Sequence, residues 1–485
     1  MKKYKDYLIA TILFIITIII SWNFIKGFNS YDTYKMYQFG YLEYAKQLFF
    51  ADGRIFSGFY ILTANILNIF QTDLYEISII LCIIIMIANV VYFKRLILKI
   101  SNKKLNDYLI FLLAFITIFN FTYVDNMRFI EMPIIALSIF LYIIAAKQAV
   151  IDKNNIKMLI SLLIAIFMYQ GTINVFFIMT AFLLFAKYQT INRKVMLEII
   201  KTLFLSMIPI IINFLYIKIY GILCIDTQRA MTDFNALPSK FINCLQTLMN
   251  VFVYSKSTMP KNFHFFMILI NIILIFLLLL KYKEKNIFHT YIIIALLVIF
   301  AFISCLPITL FFTIEDIDSS YMAGRLFWAV GAIYGLMMII LYLNTDILQN
   351  RVCRIIYVGL ILIYAIILYL GMNGIMKADV GANEIDRNIC YQIKENIEAY
   401  EQNSNYKVEK LKIKVEVSFE GISKEYEKSK TTQSYIIASL PIGNLLEFYS
   451  GLKLDTQYIP EKVKDFKENI DFYYVENTAY LYMNY

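Results

Sequence analysis

An α-helical polytopic membrane protein with a small C-terminal extracytoplasmic α/β domain is the fold class this sequence predicts, and three observations carry it. The 485 residues are 60% hydrophobic and 17% charged, against about 45–50% and about 25% in soluble domains. Apolar stretches long enough to span a bilayer recur through residues 1–372, separated by short connectors rich in Lys and Arg. From about residue 373 the pattern changes to the shorter periods of a small folded domain.

The elements follow in order. Lys2, Lys3 and Lys5 precede an apolar stretch at 7–25. It reads as an uncleaved signal anchor, because it is longer than a signal-peptide core and Ser21-Trp22-Asn23 is no small-x-small cleavage site. A long polar loop, 26–76, lies outside. Residues 77–93 return to Lys94, Arg95, Lys99, Lys103 and Lys104, 107–123 go out, and 129–146 return to Lys147, Lys153 and Lys157. The stretch 158–186 has basic residues at both ends, with Lys187, Arg193, Lys194 and Lys201 beyond it. That pattern favours a tight hairpin or paired short helices, with Tyr169-Gln170-Gly171 at the tip. Then 202–223 exit, 265–280 return to Lys281, Lys283 and Lys285, 290–312 exit, 326–343 return to Arg351 and Arg354, and 355–372 exit. About eleven passes result, with the amino terminus cytoplasmic and the tail outside a cell membrane.

In the tail, Ile385, Ile389, Ile393 and Ile397 recur every four residues with charged residues between them, a one-sided amphipathic helix. Leu411, Ile413, Val415 and Val417 alternate with Lys412, Lys414 and Glu416, a half-buried strand, and 434–440, 471–475 and 479–483 also read as strands.

Several function classes lose support. The net charge of +9 sits mostly in connectors, where it reports topology and gives no reason to expect nucleic acid. The six cysteines form no C-x-x-C pair, and the only histidines are His264 and His289, which argues against a His-based metal centre or triad. Cys224 and Cys244 share one outer loop and are open to pairing. There is no Walker loop, no H-E-x-x-H and no G-x-S-x-G.

The remaining polar residues are where function is sought. Asp32 lies just past the first span, where partial desolvation suits a general base, although Ser30 and Asp32 also read as caps of a short helix. Asp52-Gly53-Arg54 combines an acid, a glycine that permits close backbone approach, and a guanidinium suited to phosphate. The same triplet reads as an ordinary turn with a snorkelling arginine. Arg128 and Glu131, three apart at the start of a span, fall on one helical face, to pair with each other or to line a cavity. Tyr169-Gln170 places polar groups where helix-packing hydrogen bonds or a pocket would use them. Arg325, beside Gly324, is a further phosphate ligand at the membrane border, and Glu315, Asp316 and Asp318 before it read as a solvated run.

The order of these pieces resembles the bacterial polyprenyl-phosphate-glucose-dependent glucosyltransferases of the GT-C membrane superfamily. The likeness runs through a first span, an outer loop with an early Asp and a later Gly53-Arg54, Arg128-Phe129-Ile130-Glu131-Met132-Pro133 entering a span, Tyr169-Gln170 between short helices, and a soluble tail opening Asn383-Glu384-Ile385-Asp386-Arg387. Members often carry paired acids in the first loop; Tyr31-Asp32-Thr33 has one. The resemblance implies inverting transfer of a hexose, most simply glucose, from a polyprenyl-phosphate-sugar donor to a cell-surface glycan acceptor on the outer face. It implies Asp32 as catalytic base, with Asp52 as a further catalytic residue. Arg54, Arg128 or Arg325 would hold the phosphate, Glu131 would orient an arginine, and Tyr169 and Gln170 would shape the pocket. No cofactor is implied for certain, and a divalent cation at Asp32 or Asp52 stays open. A polysaccharide polymerase or ligase using lipid-linked sugars is the nearest alternative. A lipid-linked-sugar transporter or flippase is the different-class one, expected to show inverted repeats and midplane charges that this sequence lacks.

Overall fold

The computed structural model describes residues 2–101, 105–189, 192–223, 285–311, 326–345, 347–349, 351–416, 442–459 and 470–484, with scattered positions between 238 and 269. Arg325, Cys224, Cys244, His264, the acids at 315–318, and most of 265–280 and 434–440 lie outside the described residues.

The chain is mostly helical, with a small sheet. Its helices are α1 (Lys2–Gly27), α2 (Tyr31–Lys46), α3 (Ile55–Ile66), α4 (Gln71–Ile100), α5 (Asp107–Ile118), α6 (Met132–Val150), α7 (Asn155–Met168), α8 (Asn174–Tyr188), α9 (Arg193–Leu223), α10 (Lys285–Phe311), α11 (Trp328–Asn344), α12 (Arg351–Asn403) and α13 (Ile442–Ser450). Among the described residues, seven helical stretches are long and apolar enough to cross a membrane, and α3, α5, α7 and α11 are shorter apolar helices. The expected break in 158–186 falls at Tyr169, whose extended backbone ends α7 before a 3₁₀ turn at Gln170–Thr172 leads to α8.

Two compact units emerge. One comprises Met1–Ile20, Ala45–Asn68 and Ile77–Met372; the other comprises Ser21–Tyr44, Ile69–Glu76 and Asn373–Tyr485. In the first, α6 packs on both α7 and α8, and α11 packs on α5, α8 and α10. Gly335 lets α11 approach α5 closely, and Gly331 the residues just past its end: a Cβ at Gly335 would fall 2.1 Å from Thr117 Oγ1, and one at Gly331 2.1 Å from Asn120 Oδ1. Small residues at such contacts matter because lipid tails are as apolar as leucine, so close packing and polar bonds hold membrane helices together. Lys94, read from sequence as a connector residue, is instead buried, its Nζ 2.5 Å from Asp6 Oδ1 and 3.8 Å from Asp107 Oδ1.

The second unit holds a four-stranded sheet of β1 (Lys410–Glu416), β2 (Asp455–Tyr458), β3 (Ile470–Val475) and β4 (Thr478–Asn484), in the order β2-β1-β4-β3. β1 runs parallel to β2 and β4, while β3 and β4 form an antiparallel hairpin. Ile389, Ile393 and Ile397 pack with Leu411, Ile413, Leu445, Leu446 and Leu481 into one core. That periodic isoleucine helix is continuous with the last apolar span, as the 53-residue α12. Residues 21–44 and 69–76, which the sequence assigns to the membrane domain, belong to this unit. The reason is packing: Tyr34, with no exposed surface, sits in the same core, its ring 5.0 Å from that of Phe448 and its hydroxyl 2.5 Å from that of Tyr449. Burial holds the Tyr449 phenol and the Cys390 thiol above their ordinary pKa values.

Candidate functional site

The Asp52-Gly53-Arg54 triplet joins a π-helical turn at Gln47–Ala51 to α3. The Arg54 backbone N–H donates to the Leu48 carbonyl at 2.8 Å, which closes a compact loop. Gly53 has φ +64°, and a Cβ there would fall 2.6 Å from Ile217 Cγ1. Only glycine meets both the left-handed backbone and the close approach to α9 without strain.

Arg54 does not snorkel. Its guanidinium donates to Glu131 Oε1 at 2.9 Å and lies 4.6 Å above the centre of the Tyr169 ring. Asp52 Oδ2 is 3.9 Å from the same nitrogen. The Arg54 side chain is 17% exposed and that of Glu131 is 1% exposed, so the pair is partly desolvated. A buried pair is worth keeping intact because removing one member strands the other's charge. The Tyr169 ring reaches this position by folding back over Gly171, where a Cβ would fall 2.5 Å from ring carbon Cε1. Its carbonyl accepts from the Tyr142 hydroxyl at 3.1 Å.

Gln170 Nε2 donates to the Asp52 carbonyl at 2.7 Å, and Asn213 Nδ2 donates to the Gly53 carbonyl at 3.2 Å. Ser57, in the first turn of α3, donates to the Met168 carbonyl at 3.1 Å. The triplet is thus tied to the start of α6, the break between α7 and α8, and the middle of α9.

Five sequence candidates therefore meet in one place: Asp52, Arg54, Glu131, Tyr169 and Gln170. Asp32 belongs to the other unit, in the first turn of α2, where Ser30 Oγ accepts from the Thr33 backbone N–H at 3.2 Å. Arg128 and Glu131 do not share a helical face. Arg128 ends a 3₁₀ turn at Tyr123–Arg128, Phe129 is extended, and Glu131 is the residue preceding α6. The three-residue spacing predicts one face only if the helix already runs through both positions, and Pro133 places the helix start later. Sequence reading passed over Asn213, whose one local signal is a polar side chain inside the apolar run of α9. Among the described residues, no group of three or more His, Cys, Asp or Glu is arranged to hold a metal ion. No family model matches this chain, and no curated protein matches it.

Proposed function

We propose that the protein is an inverting membrane hexosyltransferase, moving a hexose from a polyprenyl-phosphate carrier to a cell-surface glycan on the outer face. In this reading residues 1–372, apart from 21–44 and 69–76 that group with the tail, form a GT-C-like membrane domain of about eleven passes, and the tail is extracytoplasmic. The observation that carries the reading is the convergence of Asp52, Arg54, Glu131, Tyr169 and Gln170 from three separate stretches of chain. The charge pattern assigns the first two of those stretches to the outer border and makes Tyr169-Gln170 the tip of a hairpin.

The chemistry needs three things: a base for the acceptor hydroxyl, a cation for the departing phosphate, and a shaped pocket. A carboxylate takes the acceptor's proton, the acceptor oxygen bonds to the anomeric carbon from the face opposite the phosphate, and the carbon–oxygen bond to the lipid phosphate breaks. Asp32 is the leading base candidate, and Asp52 is the further catalytic carboxylate. Glu131, 2.9 Å from Arg54, would orient that guanidinium. Arg54, Arg128 and Arg325 are the three candidates to hold the leaving phosphate.

The test is transfer of labelled hexose from a polyprenyl-phosphate donor in membranes, comparing the wild type with Asp32→Asn and Asp52→Asn. Loss of the base should slow transfer by about 10²–10⁴-fold in one variant. Normal transfer by both folded variants removes the proposed mechanism. Translocation of sugar or lipid across vesicles, with no transfer from any lipid-linked donor, favours a transporter.

A further inference from the structure

Between residues 147 and 201 the sequence carries seven Lys and Arg side chains against two acids, Asp152 and Glu198. Each acid is already paired: Asp152 Oδ2 lies 2.6 Å from Lys147 Nζ, and Glu198 Oε2 lies 2.6 Å from Lys153 Nζ. The surplus is positive, and part of it converges. A cavity of about 170 Å³ opens between the end of α6, α8 and α9, with Val150, Lys153, Asn155, Leu184, Glu198 and Lys201 in its lining. Lys187, on α8, donates from Nζ to the Val150 carbonyl at 2.9 Å and lies near enough to Lys153 and Lys194 to be repelled by both. Among the described residues, Lys194 and Lys201 pair with no acid.

Topology alone does not require this arrangement. A bias of basic residues toward one side of a membrane is met wherever they lie in the connectors. Lys187 and Lys201 lie instead inside helices, in the last turn of α8 and the third turn of α9. Cations gathered around a concave site at a membrane border suit a phosphate headgroup. The rest of α9 suits the remainder of a lipid. Phe204, Ile208, Ile211 and Leu215 follow Lys201 at spacings of three and four, so they share its helical face, and all four are exposed. Free phosphate would use the cavity and leave that apolar ridge without a role.

We propose that the cavity between α6, α8 and α9 binds the headgroup of an anionic phospholipid. Lys187 and Lys201 meet its phosphate, and its acyl chains lie along the Phe204–Leu215 face of α9. The charge pattern assigns this end of the helices to the cytoplasmic leaflet. The site shares no residue with the Asp52–Arg54 turn, and the inference does not depend on the transferase reading.

The experiment is lipid binding to the full chain in detergent micelles, read by native mass spectrometry, with phosphatidylglycerol, phosphatidylcholine and inorganic phosphate as probes. Wild type should bind phosphatidylglycerol at least about fivefold more tightly than phosphatidylcholine. Lys187→Gln and Lys201→Gln should each lose about fivefold in affinity for phosphatidylglycerol and keep their affinity for phosphatidylcholine. Lys157→Gln removes an exposed charge outside the cavity and should bind both lipids as wild type does. An equal loss in Lys157→Gln makes the attraction diffuse and overturns the proposal. A wild type that binds both lipids alike overturns it without any variant. Displacement of phosphatidylglycerol by inorganic phosphate at equal concentration makes the site one for free phosphate, and overturns it too.

Discussion

Ser30–Tyr34 and Asp52–Arg54 come from the same polar loop, yet they are held by opposite chemistries. Tyr34 is anchored by apolar burial in a mixed α/β core, beside Ile389, Ile393 and Leu445, with a serine cap and one hydroxyl contact completing the fit. The Asp52–Arg54 turn is held by an ion pair, a cation over a ring, and two amide–carbonyl bonds. In the α/β unit, burial of a large ring among apolar side chains supplies the driving force. Inside a membrane bundle that force is absent between helices, and a polar loop stays in place only when its own polar groups are met. One loop is therefore divided between two compact units, and each part is fastened by different contacts.

Three substitutions sharpen or break this contrast. Glu131→Ala should have the largest effect, destabilising the first unit by about 4 kcal/mol because it takes the nearer of two carboxylates from the partly desolvated Arg54. Denaturing-detergent titration of the full chain reads it, and wild-type stability in that variant would show that the pair is not what secures the turn. Tyr34→Ala should cost about 3 kcal/mol, chiefly through lost apolar packing, and should lower hydrogen-exchange protection in β1 and β4. Protection unchanged there would separate Tyr34 from the core energetically. Gly53→Ala should cost about 2 kcal/mol, from the left-handed backbone and the contact with Ile217. If its melting temperature matches wild type, the turn is more pliant than a polar clasp allows.

Local pattern was enough for much of the fold. The alternation of apolar spans and basic connectors marks the helical stretches, and the break at Tyr169-Gln170-Gly171 is legible from the basic residues at both ends of 158–186. Ile389, Ile393 and Ile397 and the alternation at Leu411 and Ile413 foretell which faces are buried. Asp52-Gly53-Arg54 announces a turn. Each of these is a property of neighbours in sequence, where periodicity records which side of an element faces a core.

What the tertiary structure alone decided is who meets whom. Glu131 pairs with an arginine 77 residues earlier, and Asn213 reaches a carbonyl 160 residues before it. Tyr34 joins a core built mainly from the last quarter of the chain. A charge or amide in an apolar setting announces that a partner is required without naming it, because desolvation is a local penalty and its relief comes from any part of the chain the fold brings close.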